Sequence, residues 1–224
     1  KYFAMMKKLN KVERPLLPEV PKQKKLSKKE FLNAYNDGVK IIDTRNKIDF
    51  AKGFIPASIN IQDNNSFSTW MGWLIDYSEP FILVAQDHQM EDLARKLMRI
   101  GMDQMMGYID DVDHLELELQ KADVIDIEEF KSYLNKDHIQ IVDVRGKTEF
   151  DEGHIEGAEN IFVGTLPDNL YKMSKDKSVV IHCQSGDRAA IAYSILKKNG
   201  FNNVKNYSGG MSEWLDNNNP VIKI

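Results

Sequence analysis

Val179-Val180-Ile181-His182-Cys183-Gln184-Ser185-Gly186-Asp187-Arg188-Ala189-Ala190 sets the rest of the chain in order. It opens with a β-branched apolar run, the mark of a buried strand. A polar, Gly-bearing loop follows, and Ala189-Ala190-Ile191-Ala192-Tyr193-Ser194-Ile195-Leu196 then starts a helix. Cys183 is the only cysteine of the chain, and it falls where strand becomes loop. A lone cysteine is most often a small buried hydrophobe. Here its neighbours are Gln184, Ser185, Gly186, Asp187 and Arg188, poor company for a core position. A turn from strand into helix aims backbone N–H groups at one point, and the helix dipole adds positive potential there. An anion or a thiolate is the natural occupant.

His182-Cys183-Gln184-Ser185-Gly186-Asp187-Arg188 is followed by Asn206-Tyr207-Ser208-Gly209-Gly210-Met211-Ser212-Glu213-Trp214. The two motifs together resemble the active-site loop and C-terminal signature of rhodanese domains. Members of that family are sulfurtransferases whose loop cysteine carries a persulfide. The resemblance implies that Cys183 is the catalytic residue and that Gln184, Ser185, Gly186, Asp187 and Arg188 form its substrate- and persulfide-binding loop. Related protein-tyrosine and dual-specificity phosphatases place five residues between cysteine and arginine. This chain has four, and position 189 is Ala. The tighter loop suits one sulfur atom better than a phosphoryl group.

A chain of 224 residues is long enough for two domains, each burying its own core. Hydrophobic and charged fractions of 42% and 29% are ordinary for a globular protein. A net charge of −4, with no basic stripe carrying interleaved aromatics, argues against a nucleic-acid partner. One cysteine excludes an intrachain disulfide framework and fits a reducing, cytoplasmic compartment. No apolar run reaches membrane-spanning length, and no signal-peptide pattern is seen. His88, His114, His138, His154 and His182 make no metal-ligand spacing with one another or with the cysteine, so no metal site is expected.

The chain repeats. Ile41, Asp43, Arg45, Lys47, Phe50, Gly53, Ile55, Asn60 and Ile61 all recur, identically, 100 residues later. Nine matches in a 21-residue window mark a tandem duplication. Upstream of each window lies a helix start. Ser27-Lys28-Lys29-Glu30 is a capping box that opens a helix through Phe31, Leu32 and Tyr35, ending at Gly38. Asp126 with Glu129 opens its counterpart, with Phe130, Tyr133 and Leu134 on the buried face. Strands alternating with helices predict an α/β fold, each repeat a mostly parallel sheet with helices on both faces. The Asp143-x-Arg145…Phe150…Gly153-x-Ile155 pattern also resembles a rhodanese stretch. Its expected role is structural, with Asp143 and Arg145 bracing the loops after a strand and Gly153 permitting a turn.

In the first repeat, Phe81-Ile82-Leu83-Val84-Ala85 matches the strand that leads to Cys183. The loop after it, Gln86-Asp87-His88-Gln89-Met90-Glu91, has no cysteine, glycine or arginine and gains two carboxylates. With no thiol to hold sulfur and added negative charge, this copy is expected to be degenerate. Leu115-Glu116-Leu117-Glu118-Leu119 alternates with period two and is expected to run extended along the surface. Trp70 and Trp73 are expected on one packed helix face. The boundaries that follow are a helix remnant and Pro-rich linker over 1–25, the degenerate domain over 26–112, a linker over 113–124 and the catalytic domain over 125–224.

Lys1 stands where Met would be expected, and Tyr2 to Asn10 reads as a helix end before the linker of Pro15, Pro18 and Pro21. This order of parts resembles the C-terminal portion of bacterial fusion proteins of the staphylococcal sulfide-detoxification type. In those proteins a metallo-β-lactamase-fold persulfide dioxygenase precedes two rhodanese domains. The resemblance implies a preceding domain with its own iron site, and no cofactor in the present chain. It also implies thiosulfate, thiol persulfides and sulfite as small-molecule sulfur donors and acceptors.

The loop chemistry can be read from its residues. N–H groups from Gln184 to Arg188, the guanidinium and the helix N-terminus should favour Cys183 as an anion, and equally a Cys–S–S⁻ intermediate. The Ser185 hydroxyl can donate to the same sulfur, and Arg188 either binds an anionic donor or ties the loop to its own backbone. Asp187 is the odd member, because a carboxylate weakens anion binding unless it points outward. The expectation is a sulfurtransferase working through a Cys183 persulfide. The alternative is a thiol redox or persulfide sensor, or a protein-binding module, on the same scaffold.

Overall fold

The structure, a computed structural model, describes residues 5–7, 11 and 19–224. The first repeat runs α1 (Lys28–Asn36), β1 (Lys40–Asp43), α2 (Lys47–Lys52), β2 (Ile59–Asn60), α3 (Phe67–Leu74), β3 (Phe81–Val84), α4 (Met90–Ile100) and β4 (Met105–Ile109). The second runs β5 (Val124–Ile125), α5 (Ile127–Ser132), β6 (Ile139–Asp143), α6 (Lys147–Glu152), β7 (Ala158–Asn160), β8 (Ser178–His182), α7 (Asp187–Lys198), β9 (Val204–Tyr207) and α8 (Gly210–Asp216). Short 3₁₀ turns lie at Asp87–Gln89 and Asp113–Leu115, and a longer one at Val163–Lys172. The remnant helix expected over 2–10 and the Pro-rich linker lie largely outside the described residues.

Two compact units form, each an all-parallel sheet flanked by helices. The first holds the described residues up to Asn46 together with Ser58–Leu119. Its strand order is β2-β1-β3-β4, every pair parallel. The chain just before α1 extends this sheet: Lys25 bridges Tyr108, and the Leu26 N–H donates to the Tyr108 carbonyl at 2.8 Å. The expected capping box is present, with Glu30 N–H on Ser27 Oγ and Ser27 N–H on Glu30 Oε2. Phe81 to Val84 are buried without exception, as a central parallel strand requires.

The second unit holds Gln120–Ile224 together with Lys47–Ala57. Residues 47–57 belong by sequence to the first repeat, yet they fold as part of this unit. Reciprocal backbone bonds between Phe54 and Gln120, at 2.8 and 2.9 Å, hold them there, and the Phe54 ring meets Tyr193 edge-on at 6.4 Å. The sheet order is β5-β9-β8-β6-β7, again parallel throughout. Ile125, Phe130, Ile141, Val180, Tyr207, Met211 and Trp214 pack one core cluster. Phe130 stacks on Tyr207 at 4.4 Å and meets Trp214 edge-on at 5.8 Å. Full burial of a ring such as Phe130 contributes about 2–3 kcal/mol.

Two local expectations change. Leu115 closes a 3₁₀ turn, and Glu116 follows in the left-handed region, so the segment begins as a bend. The burial alternation expected from Leu115 to Leu119 is nonetheless present. On α3 the buried residues are Phe67, Met71 and Gly72, while Trp70 and Trp73 flank them half-buried.

Candidate active site

The site lies where parallel strands end and loops begin, the usual place for a site in an open α/β sheet. Asp143 of β6, His182 of β8 and Tyr207 of β9 are register partners across the sheet. Cys183 is the first residue after β8, and it is buried, 1% exposed. The chain then curls so that the Gly186 N–H donates to Cys183 Sγ at 3.1 Å. Gly186 caps α7 with a φ of 93°, a conformation that L side chains rarely adopt. A Cβ at that position would lie 2.4 Å from the Ser208 carbonyl oxygen.

The second motif forms the floor of this loop. Met211 N–H donates to the Cys183 carbonyl and Ser212 N–H to the Gln184 carbonyl, each at 2.9 Å. Gln184 Nε2 adds a bond to Ser212 Oγ at 3.1 Å. Gly210, with φ 61°, lets the start of α8 come this close. A Cβ there would sit 2.4 Å from the Cys183 carbonyl oxygen and 2.8 Å from that of Gln184. Gly210 of the C-terminal signature therefore has a steric reason.

The predicted loop residues divide by where they point. Cys183 and Gly186 meet. Gln184 faces structural partners, accepting from Arg145 Nη1 at 3.4 Å as well as binding Ser212. Ser185 is exposed, and what it gives the loop is its carbonyl, which accepts from Lys47 Nζ. Asp187 pairs with the same ammonium at 2.8 Å. Arg188 turns to Glu149, in a bidentate pair at 2.6 and 2.8 Å. Of the two roles open to it on sequence, the bracing geometry is the one adopted. Its partner is a carboxylate on α6 and not its own backbone. Burial opposes the Arg188 charge most strongly, but the Glu149 hydrogen bond and the charges of Cys183, Glu149 and Asp143 together hold the guanidinium pKa above its ordinary value. In turn the Arg188 hydrogen bonds hold the Glu149 carboxyl below the usual carboxylate range.

Asp143 and Arg145 form a buried brace. Arg145 Nε and Nη2 grip the Asp143 carboxylate at 2.9 and 2.7 Å, and Nη2 also reaches the Gly153 carbonyl at 2.7 Å. Gly153 itself is extended, with φ 166°, so the site uses its carbonyl and not a left-handed turn. Asn160 Nδ2 ties the carbonyls of Asp143 and Arg145 at 3.0 and 2.9 Å. Asn60 does the same for Asp43 and Arg45 at the same distances. These recurring residues are scaffold. His182, next to the cysteine in sequence, is fully buried, and burial pushes its pKa below the ordinary value.

The first repeat can be placed against this site by register. Asp43 pairs with Val84 as Asp143 pairs with His182, so Ala85 stands where Cys183 stands. Counting on, Met90 takes the place of Arg188. Asp87 in this loop faces Lys25, its carboxylate oxygen 3.3 Å from the ammonium. Among the described residues, no cluster of three His, Cys, Asp or Glu could hold a metal ion, and no helix is long and apolar enough to cross a membrane.

A parallel α/β unit with a thiol at a strand end, cradled by the following helix, defines a class before any comparison is made. The rhodanese-like domain model matches residues 27–117 and again 126–217. The chain belongs to the rhodanese-like domain family, with two copies in tandem. It is 38% identical over 87 residues to the uncharacterized protein YqhL of Bacillus subtilis, covering 39% of this chain and 68% of that one. To a sulfurtransferase of Allochromatium vinosum it is 31% identical over 84 residues, covering 38% and 78%. Among eight curated relatives the matched segment spans from 26% to 81% of the relative's length. A solved rhodanese-like domain protein of Staphylococcus aureus is 36% identical, covers 41% of this chain and 90% of its own, and has a TM-score of 0.38.

Proposed function

We propose that the chain is a sulfurtransferase that carries sulfane sulfur on Cys183. The observation that carries this reading is the Gly186 N–H set on Cys183 Sγ at the N-terminus of the twelve-residue helix α7. Membership in a family whose relatives include sulfurtransferases supports it. In the first half-reaction the Cys183 thiolate attacks the outer sulfur of thiosulfate. The S–S bond to the sulfonate breaks, sulfite leaves with the electron pair, and Cys183 becomes Cys–S–S⁻. In the second, an acceptor thiolate attacks that outer sulfur, forms a new persulfide and returns Cys183 as thiolate. A thiol persulfide can serve as donor by the reverse of this step. Neither half-reaction needs a metal or an external oxidant.

The bracing residues supply rigidity. Glu149 fixes Arg188 and α8 fixes the carbonyls of Cys183 and Gln184, so the N–H donor is in place before charge develops on sulfur. A thiol buried to 1% admits the terminal sulfur of a small donor more readily than a protein surface. A role in sulfide or persulfide detoxification in the cytoplasm, beside a separate metallo-β-lactamase-fold domain, is the setting this chemistry fits.

The test is thiosulfate-to-cyanide sulfur transfer by the protein and by Cys183→Ser. Turnover in the first and none in a folded Cys183→Ser is expected. Equal turnover in both would overturn the assignment of Cys183. A folded native protein without transfer from either thiosulfate or a thiol persulfide would favour the sensor or binding-module reading.

A further inference from the structure

The ammonium of Lys47 sits on the outer side of the Cys183 loop. It donates to the Ser185 carbonyl oxygen and pairs with Asp187 Oδ1 at 2.8 Å. Its nitrogen would lie 3.2 Å from a Cβ placed on Gly186. Lys47 opens α2, in the segment that folds with the second unit, and its side chain is only 28% exposed. Its repeat partner Lys147 behaves differently, pairing with Asp151 one turn along its own helix with 67% exposure.

The Ser185 carbonyl and the Gly186 N–H belong to one peptide group. In a planar trans peptide the two bonds point in opposite directions. A cation that holds the carbonyl outward therefore aims the N–H inward, and here the inward N–H is the donor to Cys183 Sγ at 3.1 Å. The same bond polarises the peptide, so its N–H becomes the stronger donor. Asp187, the carboxylate that a sulfur anion would least tolerate, is offset by the same ammonium.

We infer that Lys47 is a positioning residue of the Cys183 site: it aims and polarises the Ser185–Gly186 peptide toward the sulfur and neutralises Asp187. This rests on the sulfurtransferase reading for its catalytic consequence, though not for its geometry. It gives the sequence of the first repeat, whose own loop lacks a thiol, a part in the site of the second. Lys47 touches neither donor nor acceptor; it acts through Gly186.

The experiment compares Lys47→Met, Lys47→Gln and Lys47→Arg with Lys147→Met in the full chain. Two readouts are taken: steady-state transfer from thiosulfate to cyanide, and the Gly186 amide proton resonance in a ¹⁵N-labelled sample. Lys47→Met should lower kcat/KM by about tenfold or more, mainly through kcat, because the donor works on charge that develops as sulfur is transferred. The Gly186 resonance should move upfield as its hydrogen bond weakens. Lys47→Arg should keep most of both signals and Lys147→Met all of them. Lys47→Gln, a donor without charge, should fall between, and it decides the matter if Lys47→Met does not fold. An unmoved Gly186 resonance in folded Lys47→Met and Lys47→Gln, or a moved resonance with kcat intact, overturns the inference. A moved resonance in a protein that transfers no sulfur would leave the peptide geometry standing and remove the sulfurtransferase reading instead.

Discussion

Arg188 and Glu149 show how one contact changes the meaning of a residue. On sequence the guanidinium could have been a substrate ligand. In the fold both of its terminal nitrogens lie on Glu149, and its side chain is only 19% exposed. Glu149→Gln should therefore loosen the loop without touching substrate. The expected effect is a loss of about tenfold to a hundredfold in kcat/KM, the scale on which a misplaced group acts. Steady-state kinetics with thiosulfate check this, and activity unchanged in Glu149→Gln would show that the pair is not needed to hold the loop. A second residue reports through stability. Burial lowers the pKa of His182, Asp143 opposes that shift, and the charges of Arg145 and His154 add to it. Between the ordinary value of 6.5 and the lower folded value, the unfolded chain binds a proton that the fold excludes. This contribution is full above the ordinary value and falls as pH drops below it. Urea midpoints taken at about pH 7.5 and about pH 5.5 should fall more for the native protein than for His182→Leu. Parallel losses in both would place the acid sensitivity elsewhere.

At the scale of elements, the strand–loop–helix unit β8–α7 was legible almost entirely. An apolar run, a single thiol, Gly186 and an alanine-rich helix start each state their role locally. Partners across space were less legible. Glu149 and Lys47 lie 39 and 140 residues from the loop residues they hold, and no local pattern announces those pairings. A signal did exist, since Lys47 is one of the recurring positions of the repeat. Lys147, its counterpart, bonds within its own helix, so repetition alone could not tell the two apart. The floor beneath the loop was visible only as a motif, Gly209-Gly210; its cause is the approach of α8 to the carbonyls of Cys183 and Gln184. Loop length makes the element-level prediction. Four residues between Cys183 and Arg188 should close around one sulfur atom, so aryl phosphates should be hydrolysed negligibly beside sulfur transfer. Paired kinetics on the two substrate types measure this. Phosphatase turnover rivalling sulfur transfer would remove the loop-length argument.

Across the whole molecule, a duplicated domain has kept its scaffold twice and its thiol once. Asn60 and Asn160 bind the same pair of carbonyls at matching distances, and both sheets are parallel in the corresponding order. Ala85 and Met90 stand at the places of the nucleophile and the bracing arginine, and the first loop turns through a 3₁₀ segment at Asp87–Gln89 where the second has Gly186 in the left-handed region. The halves nonetheless do not divide at one point of the chain, because residues 47–57 fold with the second unit. Sequence periodicity could not show that, since periodicity assigns each segment to its own copy. The account turns on one thiol carrying one sulfur atom. Intact-mass spectrometry after brief incubation with thiosulfate, followed by cyanide, measures that directly. The prediction is a gain of one sulfur atom per chain, absent in Cys183→Ser and removed from the native protein by cyanide. No sulfur on the native chain, or an equal gain in Cys183→Ser, would contradict it.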